Sequence, residues 1–195
     1  MRQILFVQGG GKDVHEKWDN KLVESLRREL GAAYEVRYPI MPNEADPQLS
    51  TWRVAIDNEI AALDSGAIIV GHSVGGTILI NVLAEHSPNV ALGAIVLIAA
   101  PFVGDGGWES ADIEPRPDLG DRLPPGVPVL LYHGDRDAVA PVSHVALYAQ
   151  AIRHARVRQL ANRDHQLNND LSEVASDIRA LESGAAGIQQ SSSLS

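Results

Sequence analysis

Three polar residues stand where hydrolytic chemistry could use them. Ser73 lies in Gly71-His72-Ser73-Val74-Gly75, which matches the pattern G-x-S-x-G. The apolar run AIIV precedes this pentapeptide, and the apolar helical pattern GTILINVLAEH follows it. A strand–turn–helix setting of this kind puts the serine on a sharp turn with positive φ. Gly71 and Gly75 supply the missing bulk on either side. The turn lifts the hydroxyl above the sheet edge and aims the first amides of the helix, including that of Val74, at the reaction centre.

A serine hydroxyl is a poor nucleophile without a base, and the base needs an orienting carboxylate. HGDRDAVAP at 133–141 follows the apolar run VPVLLYH and offers Asp137. RDHQLN at 163–168 follows RVRQLA and offers His165. The order along the chain is Ser, Asp, His, each just past a predicted strand. Asp135 competes for the acid role. It sits one residue beyond Gly134, where an aspartate ordinarily bonds its own turn, so Asp137 is preferred. Among the other histidines, His15, His86, His144 and His154 fall in predicted helices or at their ends. His133 ends a strand, and His72 adjoins the serine but points away from it.

Gly9-Gly10-Gly11 follows the first predicted strand and lets the backbone approach a ligand closely. The Gly10 amide paired with that of Val74 would form an oxyanion hole, with Gly9 and Gly11 beside the substrate. A phosphate site is the rival reading of GGGK. It fails because a P-loop needs glycine where Phe6 stands and Ser or Thr where Asp13 stands, and the dinucleotide pattern fails at Val14. No metal-ligand spacing such as H-E-x-x-H is present, so neither metal nor other cofactor is expected.

The elements that must position these residues alternate along the chain. Strands are predicted at 2–8, 34–38, 67–72, 94–100, 127–133 and 156–161. Most are unbroken apolar runs, the pattern of strands buried on both faces of a parallel sheet. Between them apolar residues recur at a helical period. Trp18, Leu22, Leu26 and Leu30 form one such face, Trp52, Ile56, Ile60 and Leu63 a second. Val142, Val145, Ala149 and Ile152 form a third, and Leu171, Val174, Ile178 and Leu181 a fourth. Such alternation implies an α/β fold, a three-layer α/β/α sandwich around a mostly parallel six-stranded sheet. Residues 1–183 read as one domain, and 184–195 (GAAGIQQSSSLS) as a flexible tail. The Gly/Pro/Asp-rich excursion at 102–126 is the one stretch long enough to roof the site, and its Phe102 and Trp108 could line an acyl pocket. Equally, Trp108 could pack this loop onto the sheet.

Composition sets the outer limits. The chain has 195 residues, 45% hydrophobic and 21% charged, which suits a single globular domain. It has no cysteine, so disulfides, thiolate metal sites and a cysteine nucleophile are excluded. Its 25 acidic and 16 basic residues give a net charge of −9, which argues against nucleic acid, anionic membranes and polyanionic substrates as partners. The apolar stretch near the start, Ile4 to Val7, is too short for a signal peptide, so a cytoplasmic location is expected.

GHSVGG, HGDRDAVAP and DHQLNNDLSEVA, in that order and spacing, resemble the α/β-hydrolase superfamily over about residues 2–182. They are most similar to its small, nearly lidless serine hydrolases, the branch that includes the retinoblastoma-binding-protein type. The resemblance implies a Ser73–His165–Asp137 triad and a sheet of order 2-1-3-4-5-6 without the superfamily's first two antiparallel strands. In that order the first and third strands are neighbours, and the crevice at their C-terminal ends is the expected ligand site. Acyl-ester hydrolysis on a small-molecule substrate is the implied activity. Thioester, amide or acyl-transfer chemistry on the same residues, or a binding role with little turnover, are the alternatives. The chain departs from the superfamily at two places: Gln8-Gly9 replaces His-Gly after the first strand, and Asp164 replaces the glycine before the base.

Overall fold

A computed structural model describes residues 1–191 of the chain, with side chains described through residue 181. Six strands form one sheet: β1 (Arg2–Val7), β2 (Tyr34–Arg37), β3 (Ala67–His72), β4 (Leu92–Ile98), β5 (Val129–Gly134) and β6 (Arg156–Leu160). Their order is β2-β1-β3-β4-β5-β6 and every pairing is parallel. The helices are α1 (Asn20–Leu30), α2 (Leu49–Ala61), α3 (Ser73–Glu85), the short α4 (Leu119–Arg122), α5 (Ser143–Ala151) and α6 (Ser172–Ser191).

Strand alternation explains the two cores. Leu5, Val7, Ile69 and Leu97 point to one face, where they pack with Trp52, Ile56 and Ile60 of α2, Leu79 and Leu83 of α3, and Val145 and Tyr148 of α5. Ile4, Phe6, Ile68, Val70 and Val96 point to the other, against Leu22, Leu26 and Leu30 of α1 and Val174 and Ile178 of α6. Burial on both faces is what continuous apolar runs in a parallel sheet require. Topology places the β1 and β3 ends side by side at the point where the strand order reverses, as the resemblance implies.

Two expectations on helices need adjustment. Trp18 is not part of the buried α1 face. The chain enters α1 through a π turn, His15–Asp19, and Trp18 is left 54% exposed. A π turn takes more residues per revolution than an α-helix and so shifts the phase of everything before it. At the other end α6 runs on through Ser191, into the segment read as a tail; residues 192–195 lie outside the described residues. Among the described residues no helix is long and apolar enough to cross a membrane.

The 102–126 excursion is folded down rather than arched over the crevice. Val103 and Trp108 form a β-bridge, and Ile113, Leu119 and Leu123 are buried in the core beside α3 and α5. The Asp112 carboxylate accepts the Leu49 amide at 2.7 Å and so ties the excursion to the start of α2.

Candidate active site

The turn from β3 to α3 carries Ser73 at φ 50°, the left-handed region a non-glycine residue enters only when the surroundings demand it. Close packing makes that demand. A Cβ on Gly75 would lie 1.8 Å from the Gln8 carbonyl oxygen, and one on Gly71 would lie 2.5 Å from the Gly76 Cα. Glycine at 75 lets the turn sit against the end of β1, and glycine at 71 lets α3 start hard against β3, which puts Ser73 at the head of α3.

His165 arrives on the loop after β6, where Leu167, Asn168 and Asn169 all have positive φ. Leu167 is fully buried and anchors this loop in the α1/α6 core. The Asp164 carboxylate accepts the amides of Gln166 and Asn168 at 3.0 and 2.7 Å, so the residue that replaces the superfamily's glycine shapes the turn. Asp137 arrives on the loop after β5.

The three side chains form one hydrogen-bonded chain. Ser73 Oγ lies 2.9 Å from His165 Nε2, and His165 Nδ1 lies 2.7 Å from Asp137 Oδ2. A carboxylate only accepts, so Nδ1 carries the proton and Nε2 is free to accept from the serine. The Asp137 side chain is fully buried. Burial alone would raise its pKa. Hydrogen bonds from His133 and His165, the charge of the His165 ring and the Val139 amide outweigh burial and hold the carboxyl well below the usual carboxylate range. Asp137 also bonds its own turn, taking the Val139 and Ala140 amides on Oδ1 at 2.8 and 2.9 Å. That turn-bonding behaviour is the one the sequence predicts for Asp135. Asp135 instead accepts the Asn162 amide at 2.6 Å and does not reach His165.

The glycine loop divides its amides. Gly9 N donates to Asp19 Oδ2 at 2.7 Å and Gly11 N to the Glu44 carbonyl at 2.7 Å. Gly10 N has no acceptor among the described residues. Neither has Val74 N, in the unsatisfied first turn of α3. The two residues are neighbours: a Cβ on Gly10 would stand 3.5 Å from the Val74 side chain at Cγ1. Gln8, buried where the superfamily commonly has histidine, clamps this loop to the 40s segment. Its amide nitrogen donates to the Glu44 carboxylate and its oxygen accepts the Met41 amide.

Ser73 and His165 open into a cleft of about 450 Å³. Gly9, Gly10 and Arg136 line it, and Val14, Trp18 and Val139 supply apolar wall. Phe102 and Trp108 do not line it. Phe102 is buried edge-on against Tyr148 and borders a separate cavity beside α5. Trp108 packs edge-on to the His144 ring, with centroids 5.7 Å apart, and borders a smaller cavity with Val74 and Pro47. Their hydrophobicity is consumed in holding the excursion down, which is the loop-packing role weighed for Trp108. Gly11 also falls outside the cleft lining, its place taken by Val14. Among the described residues no three His, Asp or Glu side chains gather as a metal site would require.

Residues 2–192 match the family described as an alpha/beta hydrolase domain. The chain therefore belongs to the alpha/beta hydrolases. No curated protein matches it. Solved structures do. The ydeN gene product from B. subtilis is 18% identical with a TM-score of 0.71, over 94% of this chain and 100% of that one. The esterase domain of a Rhodothermus marinus protein is 25% identical with a TM-score of 0.64, over 92% and 84%. A serine hydrolase without a lid from Xanthomonas campestris is 15% identical with a TM-score of 0.60, over 92% and 79%. Fold and family together make this a small hydrolase.

Proposed function

We propose that the protein hydrolyses a small carboxylic ester through a covalent acyl-enzyme. Ser73 Oγ attacks the carbonyl carbon while His165 Nε2 takes its proton. Asp137 fixes the imidazole tautomer and stabilises the imidazolium that forms. The oxyanion is received by the amides of Gly10 and Val74, each such donor being worth about 3 kcal/mol in the transition state. His165 returns the proton to the leaving alkoxide, then activates the water that releases the acid. The observation that carries this reading is the unbroken Ser73–His165–Asp137 hydrogen-bond chain, 2.9 and 2.7 Å, beside two unclaimed backbone amides. Likeness to an esterase domain supports an ester as the substrate. The apolar wall of Val14, Trp18 and Val139 favours a compact ester with an apolar arm.

Intact-mass labelling with a fluorophosphonate tests the reading on wild type and on Ser73→Ala. A single adduct on wild type alone is expected, followed by turnover of short-chain nitrophenyl esters. A folded wild type that takes no adduct refutes the proposal.

A further inference from the structure

Behind Ser73 lies a second carboxylate–imidazole pair that the ester chemistry leaves idle. Asp19 is fully buried and His72 is 1% exposed. Asp19 Oδ2 accepts the Gly9 amide at 2.7 Å and faces His72 Nδ1 at 2.9 Å, while Oδ1 accepts Gln166 Nε2 at 3.1 Å. The other ring nitrogen, His72 Nε2, faces the backbone carbonyl oxygen of His165 at 3.1 Å. Both partners of the ring are oxygens that only accept, so both nitrogens need a proton, and a neutral imidazole has only one. The contacts are those of an imidazolium. The titratable groups around it are Asp19 from the turn before α1, His165 with its ring centroid 5.0 Å away, Asp137 beyond that ring, and the Tyr38 hydroxyl, which bonds the His15 carbonyl.

The pair touches each of the segments that must stay in register. Gly9 adjoins the Gly10 amide, His72 adjoins Ser73, and the bonded carbonyl belongs to His165 itself. Fit is close as well: a Cβ on Gly9 would stand 3.2 Å from Ser73 Cβ and 3.3 Å from His72 Nδ1. We propose that Asp19 and a cationic His72 act as a positioning pair, holding the Gly9–Gly10 loop and the His165 backbone in register with Ser73 without touching substrate. This inference rests on the roles given above to Ser73 and His165. A carboxamide at position 19 has one acceptor oxygen, so it cannot accept on both sides as Asp19 does. It must give up either the Gly9 and His72 contacts or that of Gln166.

The test uses wild type, Asp19→Asn and His72→Gln. In histidine-15N-labelled wild type, the ring signal that His72→Gln removes should show both nitrogens protonated at pH 8, where a free imidazole is neutral. In Asp19→Asn the kcat on a nitrophenyl ester and the rate of fluorophosphonate labelling should fall at least tenfold, with KM within about twofold; a thermal midpoint checks that the variant is folded. A singly protonated His72 ring in wild type overturns the proposal, and that reading stands even if Asp19→Asn does not fold. A folded Asp19→Asn that labels as fast as wild type overturns the positioning role alone. A wild type that never labels overturns the hydrolase reading, and this inference with it.

Discussion

Asp137→Asn separates the work of this carboxylate into its two halves. Oδ1 holds the turn through the Val139 and Ala140 amides, and Oδ2 receives His165 Nδ1 at 2.7 Å with His133 Nε2 at 3.1 Å. A carboxamide keeps one oxygen. Facing it toward the turn preserves two amide bonds, and the new NH2 then meets two ring N–H groups. His165 escapes the donor–donor contact by moving its proton to Nε2, which can no longer accept from Ser73. Wrong-tautomer substitutions of this kind lower kcat about 10⁴-fold. At about 1.4 kcal/mol per tenfold, that is about 5.5 kcal/mol of transition-state stabilisation. The fold loses the His165 bond and the longer His133 contact, the latter ring keeping the Ala140 carbonyl at 2.9 Å, which should cost about 2–3 kcal/mol and leave the variant folded. The assay is initial rates on a nitrophenyl ester together with the second-order rate of fluorophosphonate labelling. Asp135→Asn is the control, since among the described residues its carboxylate bonds the Asn162 amide and no other group, and its rates should stay within about threefold of wild type. A folded Asp137→Asn that keeps more than about a tenth of wild-type kcat/KM, or an Asp135→Asn equally impaired, would refute the reasoning.

Two further outcomes follow from the cleft and the charges. Trp18→Ala should raise KM for apolar esters about tenfold, as expected for lost apolar contact, with kcat little changed, whereas Trp108→Ala should leave KM near wild type; the opposite pattern in a KM series would return the acyl wall to the excursion. Asp170 is held down to about 2 by the Ser172 amide and the Arg163 guanidinium, and Asp137 is depressed as well. Both ionise below the unfolded-chain value of about 3.9, so their stabilisation is whole above about pH 4 and is lost as pH falls toward 2. The thermal midpoint should drop across that interval, and a flat midpoint by calorimetry would count against these pairings.

That Ser73, Asp137 and His165 meet was legible because each lies in the segment just past a strand, and a parallel sheet delivers all such positions to one edge. Gly71 and Gly75 were legible for a steric reason that the Gln8 and Gly76 contacts bear out. Asp19 was not. In the sequence it is one more acidic residue before a helix, and only the meeting of three loops buries it. A buried carboxylate beside a buried imidazole leaves no periodic trace. Trp18 was misplaced because a 3.6-residue period was continued across a π turn. Phe102 and Trp108 stay open between substrate and loop packing in the sequence, because apolar residues in a long loop must cover something, and the sequence does not say whether that is a ligand or the protein's own flank. The sheet order was supplied by likeness to a family, since strand periodicity cannot say which strands are neighbours.

The manner in which the excursion is fastened bears on how such a molecule can change over generations. Its departure from β4 is pinned where Thr77 Oγ1 and Tyr148 OH donate to the Pro101 carbonyl at 2.6 and 2.9 Å, and where the Phe102 amide donates to His144 Nδ1. Its return is pinned by Leu119 and Leu123. Residues 109–111, between these anchors, are exposed. Lengthening a tethered loop costs only about 0.6 kcal/mol per doubling. New chain can enter there, and grow into a separate roof, while Ser73 and its partners keep their places. Acquisition of a cap and preservation of the Ser73–His165–Asp137 cluster are thus independent inheritances in this architecture.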